Sequence, residues 1–216
     1  MSNQILLLAD VDLTAVCAEI SQRDRTLGKF IKKFGACTLG GPARGTHFES
    51  IVFAVISQQL STKAADTIGT RLTDLVGRPL TPKKLLKYSD EQLRSVGLSG
   101  AKVRTIREFS EAIHSGALDL VELENHPDDY VVAELSKLWG IGRWTAEMCM
   151  MFRMGRLDVW PAGDLGVRNG FARIYGLEQP PTEKEIVDMA DHLRPYRSVV
   201  AWYCWRAVDQ DSEISK

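Results

Sequence analysis

The stretch "LWGIGRWTAEM", Leu138 to Met148, decides how the chain is read. An apolar, helix-like run is interrupted by Gly140 and Gly142 and resumes with Arg143 and Trp144. One reading of the break is a plain join between two helices. The other is a tight turn that bares backbone N–H groups. A glycine has no side chain to keep a ligand from its backbone, and the helix opening near Arg143 presents unpaired N–H groups and the positive end of its dipole at the same spot. A phosphate suits such a place, and Arg143 adds a cation. Ile141, between the glycines, has a side chain suited to the core. Taken alone, a Gly-x-Gly between helices favours the plain join.

Outward from this turn, most segments show helical spacing and few show strict alternation. The spacing predicts helices near 12–34, in one piece or two, and at 47–60, 62–77, 89–95, 100–114, 129–138, 143–154, 165–175, 182–193 and 197–208. The breaks "TLGGPARG", "GRPLTP" and "LEQPPTE" punctuate the pattern. "SIVFAVIS", Ser50 to Ser57, has β-branched residues that also suit a buried strand. Its apolar run continues to Leu60 without a turn signal before Ser61, which favours helix. An all-α, compact chain follows.

At 216 residues the chain suits one domain, or two interleaved lobes, better than two separate domains. Its net charge of −1 gives a nucleic-acid partner no support from the total, so any such role rests on local patches. Cys17, Cys37, Cys149 and Cys204 form no CxxC pair, which argues against a zinc or iron–sulfur site. Four reduced, mostly buried thiols in an intracellular protein are expected, in cytoplasm or nucleoid for a prokaryote and in the nucleus for a eukaryote. "QILLLADVDL" is too short to span a bilayer and carries acids where a signal peptide has a basic flank, so no membrane partner is expected.

Several other features read as structure. "SVGLSGAKVRTI", Ser95 to Ile106, echoes the opening stretch and supplies Lys102 and Arg104, with Arg107 just beyond. A solvated basic face outweighs a DNA contact there. In "HPDDY", Asp128 and Asp129 sit where a helix leading into the turn needs caps. Lys83, Lys84 and Lys87 follow a proline-containing turn as a solvated face, and the four histidines are scattered singly.

The turn does not stand alone. Downstream come "DVWPAGDLGVRNG", which places Asp164 in a short Pro/Gly-rich segment, and "RPYRSVVAWYCW", Arg194 to Trp205; upstream is "VISQQLSTKAA", Val55 to Ala65. From about Asp24 to Trp205 this ordered set resembles the helix–hairpin–helix superfamily of DNA base-excision glycosylases. "GIGRWTA" looks most like its alkylation-repair branch, 3-methyladenine DNA glycosylase II.

The resemblance implies a two-lobed helical fold with an active-site cleft between lobes. One lobe would span about 46–160, the other 1–45 with 161–216, in a single domain. Gly140 and Gly142 would offer backbone N–H groups to a phosphate beside the lesion, with Arg143 alongside and Thr145 adding its hydroxyl. Asp164 matches the catalytic aspartate. Trp144, Trp205, Met148 and Tyr196 fall at base-pocket positions, and Gln59 and Leu60 where a side chain fills the gap left by the flipped nucleotide. The carbonyls of Ser136, Leu138 and Ile141 match a monovalent-cation site of relatives. The implied partner is double-stranded DNA carrying alkylated bases, and a monomer is expected.

Three departures leave the lesion range open among 3-methyladenine, 7-methylguanine, hypoxanthine and ethenoadenine. Gly163 stands where many relatives have a second aspartate, Tyr196 where some have tryptophan, and Met148 where some have an aromatic residue. The N-terminal β-rich domain of the larger members has no room in this chain.

The chemistry suits these residue types on its own terms. N-glycosidic cleavage develops positive charge on the sugar, so a nearby carboxylate can stabilise the transition state or activate water. A purine alkylated at N3 or N7 is already a good leaving group, and indole faces attract a cationic, electron-poor ring. Asp164 also suits the N-cap of a helix starting at Leu165, and the two roles can coexist. Trp144 and Trp205 also suit a core.

Two rival functions are a bifunctional glycosylase/lyase of the endonuclease III kind and a non-catalytic helix–hairpin–helix DNA-binding module. The lyase needs an amine nucleophile, which those enzymes place where this chain has Trp144. The module needs neither aspartate nor tryptophans.

Overall fold

The computed structural model describes residues 5–40 and 45–214, with side chains through Asp209. Among the described residues the chain is helical and has no β-strand, only an isolated bridge between Leu7 and Arg156. The helices are α1 (Leu13–Arg23), α2 (Arg25–Phe34), α3 (His47–Ser57), α4 (Thr62–Val76), α5 (Pro82–Leu85), α6 (Asp90–Ser95), α7 (Gly100–His114), α8 (Leu120–Leu123), α9 (Asp128–Leu135), α10 (Arg143–Phe152), α11 (Leu165–Tyr175), α12 (Glu183–Met189) and α13 (Arg197–Ile214). None is long and apolar enough to cross a membrane.

Local chemistry sets most of the boundaries. Asp24 ends α1 and starts α2, its side chain accepting from the Leu27 N–H, so the 12–34 segment is two helices. Thr46 and Glu49 form a capping box on α3. Ser89 with Gln92 and Thr182 with Glu185 do the same on α6 and α12, while Ser61 and Ser99 cap α4 and α7 by side-chain acceptance alone. The short helices α5 and α8 were not expected; each is opened by its own cap, Thr81 or Asp119.

Several expected boundaries move, among them the ends of α9 at Leu135 and α10 at Phe152. α3 stops at Ser57, short of Leu60, because residues 58–60 turn away from it. Asp128 and Asp129 lie inside the first turn of α9, where they face its dipole, while Pro127 holds the cap position without a side-chain bond. The 182–193 segment breaks after Met189 into a separate 3-10 turn, Asp191–Leu193. The last helix runs beyond 208 to Ile214.

The chain forms two compact units, a central one of residues 42–154 and a terminal one of residues 1–41 and 155–216. In the central unit α3 lies at the middle, packed by α4, α7 and α10. Ile51, Val52, Val55 and Ile56 on α3 are fully buried with Val103, Ile106 and Phe109 on α7, and Phe48 stacks on Phe109 with ring centres 5.1 Å apart. In the terminal unit α11 packs on α13 and α2, and α1 on α2, around Ile20, Leu27, Phe171 and Tyr203. All four cysteines are buried, with no disulfide among them.

Candidate active site

In the central unit the helix break is a turn from Leu135 to Arg143, and its two glycines differ. Gly140 has φ +77°, and a Cβ on it would lie 2.0 Å from the Thr105 Oγ1 of α7. Only glycine fits there without strain and without displacing Thr105. Gly142 has φ −107° and ψ −178°, extended backbone open to any residue, and a Cβ on it would meet nothing within 4 Å. The fold itself therefore gives no reason for glycine at 142. Gly142 is also the N-cap of α10 and has no side chain to satisfy the first-turn N–H groups. Ile141 points inward and is 3 % exposed.

The side chains around this turn divide into buried and open. Arg143 is exposed, its guanidinium only loosely engaged by Glu147 at 3.7 Å and Asp129 at 3.9 Å. Trp144 is half-buried and Met148 buried. Thr145, whose hydroxyl was expected at the phosphate, is 1 % exposed, and that hydroxyl accepts a 2.9 Å bond from Gln58 Nε2. The oxygen is thus engaged inside the unit and turned away from any surface ligand.

The segment after α3 lies against this turn. Gln58 Nε2 also donates to the Gly140 carbonyl at 2.9 Å. Gln59 and Leu60 are exposed, and Gln59, at φ +56°, is the one non-glycine residue with positive φ among the described residues. Such a conformation costs an L-residue on the order of 1 kcal/mol and persists where surrounding contacts impose it.

Of the basic residues of α7, Lys102 and Arg107 are drawn into the fold, while Arg104 stays exposed. Lys102 Nζ donates to the carbonyls of Ile56 at 2.7 Å and Gln58 at 2.9 Å, closing the C-terminal end of α3. The Arg104 guanidinium lies 4.3 Å from the centre of the Trp139 ring and bonds Glu108. Arg107 is held by Asp90 and the Tyr88 carbonyl.

In the terminal unit Asp164 caps α11. Its Oδ1 accepts from the Val167 N–H at 2.8 Å and from the Trp205 indole N–H at 3.1 Å. The structure thus joins two residues singled out from sequence, from α11 and α13, and realises the expected cap. Burial, and then the nearby Asp164 carboxylate, push the Cys204 thiol above its usual range.

The loop leading to Asp164 is pinned at several points. The nearly buried Arg197 grips the Asp158 carboxylate at 2.7 and 2.9 Å. Ser198 Oγ accepts from the Val159 N–H, the Trp160 indole donates to the Ile186 carbonyl, and the Asp164 N–H bonds the Pro161 carbonyl. A side chain at Gly163 would start 3.6 Å from Glu183 Oε1, so a second carboxylate there would meet like charge. Tyr196 is tied to α1. Its hydroxyl donates to Glu19 at 2.9 Å, which raises its pKa, and the Arg23 guanidinium lies 5.5 Å from its ring centre.

Two glycines of α11 escaped the sequence reading. A Cβ at Gly170 would fall 1.9 Å from the Cys204 carbonyl oxygen, so this glycine lets the backbone of α13 lie directly against α11. A Cβ at Gly166 would fall 3.0 Å from both Asp164 Oδ1 and Trp205 Cδ1. The signal was present as two glycines four residues apart in the interior of a helix, "DLGVRNGFARIY".

Residues 52–194 match the HhH-GPD superfamily base excision DNA repair protein family. The chain belongs to this superfamily. The HhH-GPD match runs from within α3 to just before α13, taking in Gln58, the glycine turn and Asp164 but not Trp205. The chain is 32 % identical to the alkylbase DNA glycosidase-like protein mag2 of Schizosaccharomyces pombe, over 91 % of this chain and 94 % of that one. It is 34 % identical to DNA-3-methyladenine glycosylase 1 of the same organism, over 74 % and 71 %. Its fold matches the S. pombe 3-methyladenine DNA glycosylase Mag1, solved in complex with abasic DNA, with TM-score 0.82 at 29 % identity, covering 89 % of this chain and 95 % of that one. A DNA-3-methyladenine glycosidase from Bacillus halodurans matches with TM-score 0.77 at 36 % identity, over 97 % and 94 %. These relatives place the chain in the alkylation-repair branch, as the "GIGRWTA" motif implies.

Proposed function

We propose that the chain is a monofunctional DNA glycosylase, which flips alkylated purines of the 3-methyladenine and 7-methylguanine type out of double-stranded DNA and hydrolyses the N-glycosidic bond to leave an abasic site. The observation that carries this reading is Asp164, a carboxylate fixed by one helix-start amide and one indole N–H. As the bond to the base lengthens, positive charge grows on the sugar, and a carboxylate held in place stabilises it or takes a proton from the attacking water. An N3- or N7-alkylated purine is cationic while bonded and takes the bond's electron pair to leave as a neutral base, so no second acid is required.

The other parts follow the same chemistry. The backbone at Gly142 and the first turn of α10, with Arg143, take a phosphate. Exposed Leu60 or Gln59 fills the gap left by the extruded base. Trp144 and Met148 of the central unit, and Trp205 and Tyr196 of the terminal unit, each offer surface for an electron-poor ring. The carbonyls of Ser136, Leu138 and Ile141 form the donor set for a monovalent cation; Leu138 O already accepts from the Ile141 N–H at 3.2 Å and keeps a second lone pair. The protein acts as a monomer.

The test is incubation with methylated duplex DNA and identification of released bases. Release of 3-methyladenine and 7-methylguanine from unbroken strands is expected. DNA binding without release would make the chain a binding module. No covalent adduct is expected with borohydride, because a lyase step needs an amine to form a Schiff base with the sugar. The first turn of α10 offers Arg143 and Trp144 instead, and arginine stays protonated. A trapped adduct, or strand cleavage without alkali, would reassign the enzyme as a lyase.

Gly166→Ala gives a second check. The added carbon presses on the Asp164 carboxylate and the Trp205 ring, so single-turnover excision falls by about tenfold, since small displacements of reacting groups are costly. The crowding is offset by the about 1 kcal/mol by which alanine is favoured over glycine in a helix, so the melting temperature stays near wild type. An unchanged rate would show that the Asp164–Trp205 spacing does not limit the chemistry.

A further inference from the structure

We propose that Gln58 and Lys102 are positioning residues that lock the exposed Gln59–Leu60 turn to the glycine turn at Gly140, so that insertion into the duplex and phosphate binding occur as one rigid event. This rests on the glycosylase reading above.

The two residues work from opposite sides of one short segment. Lys102, on α7, bonds the carbonyls of Ile56 and Gln58, the last acceptors of α3. Burial lowers its pKa, and the two carbonyl oxygens are what the desolvated ammonium faces. With its backbone carbonyl so held, Gln58 sends its side-chain amide the other way, to Gly140 O and Thr145 Oγ1, both at 2.9 Å. One residue therefore touches the segment that ends α3, the turn at Gly140 and the first helical turn of α10.

The consequence falls on the next residue. Gln59 is held at φ +56° between the fixed Gln58 carbonyl and Ser61, which caps α4. An unfavoured backbone angle at an exposed tip needs over-determination by its neighbours, and the Lys102 and Gln58 bonds supply it. Gly140 is seated on the same helix as Lys102, its Cα hydrogen facing Thr105 Oγ1 where a Cβ would clash. α7 is thus a common anvil for both turns. A side chain that enters a base stack must resist being pushed back by the flipped base, and flipping costs a few kcal/mol in a paired duplex. A loose turn would yield to that load.

The experiment compares wild type, Gln58→Ala, Gln58→Glu and Lys102→Met on DNA carrying one 7-methylguanine, either paired with cytosine or in a single-nucleotide bulge. Gln58→Glu keeps the length and removes the donors. Lys102→Met keeps the apolar stem and removes the charge. Each lost hydrogen bond is worth about a factor of five to ten, so single-turnover excision from the paired duplex falls about tenfold for each variant. In the bulge, where the base is already unstacked, rates stay within about twofold of wild type. Because both residues act through the same turn, the Gln58→Ala, Lys102→Met double variant loses less than the product of the single losses.

Fluorescence of 2-aminopurine beside the lesion reads unstacking without any excision. Wild type raises it and the variants raise it less. Thermal melting of each variant reports folding separately. Equal losses on paired and bulged DNA, or wild-type 2-aminopurine response in a folded variant, overturn the proposal. Wild-type protein that unstacks DNA but releases no base would sink the glycosylase reading and leave the brace standing.

Discussion

Asp164→Asn is expected to lower single-turnover excision of an alkylated purine by about 10²–10⁴-fold, the usual loss when a positioned acid–base group is removed. The geometry makes the substitution unusually clean. Asp164 Oδ1 accepts both the Val167 N–H and the Trp205 indole, and an asparagine carbonyl oxygen can accept the same two bonds. Asparagine caps a helix about as well as aspartate, so α11, the Trp205 contact and the melting temperature are retained. What disappears is the negative charge that opposes the positive charge growing on the sugar. Binding to lesion DNA, measured with the same oligonucleotide, stays near wild type. A folded Asp164→Asn protein that excises within a few-fold of wild type would remove this residue from the reaction and leave it only as a cap.

The residues legible in sequence were those whose reason is local. The glycine turn, the helix starts near 47, 62 and 100, and Asp164 at the head of α11 each carry their signal within a few neighbours. The α3 boundary illustrates the limit. Nothing in "SIVFAVISQQL" says that the helix stops at Ser57, because the group that closes it is an ammonium 44 residues further along, between Lys102 and Gln58. For the same reason Lys102, Arg104 and Arg107 read as a basic face, when each is bound to a carbonyl, a ring or an acid of another segment. Arg197 gripping Asp158 and Gly166 making space for Trp205 are likewise contacts across the chain. Periodicity reports which face of a helix is buried, and it is silent on which distant polar group meets it.

The glycine turn yields the second large effect, and it separates two reasons for glycine that sequence cannot distinguish. Gly140→Ala forces a left-handed backbone at φ +77° on an L-residue and drives a Cβ to 2.0 Å from Thr105 Oγ1. The two costs together amount to about 2–4 kcal/mol, which lowers Tm by roughly 5–15 °C in a chain of this size. Thr105→Ala in the same protein recovers part of that loss by removing the clashing oxygen, and not all of it, because the backbone angle remains. Gly142→Ala behaves oppositely. Its backbone is extended and its Cβ would stand in open space, so stability falls by no more than about 1 kcal/mol, the cost of alanine in place of glycine at an N-cap. A phosphate bound to the amides at the start of α10 would meet the added methyl. Affinity for DNA is expected to fall by about tenfold whatever the base, together with a smaller change at high salt, where phosphate contacts contribute less. A Gly142→Ala protein of native stability and unchanged DNA affinity would show that phosphate does not approach here, and the turn would then be only the join between α9 and α10.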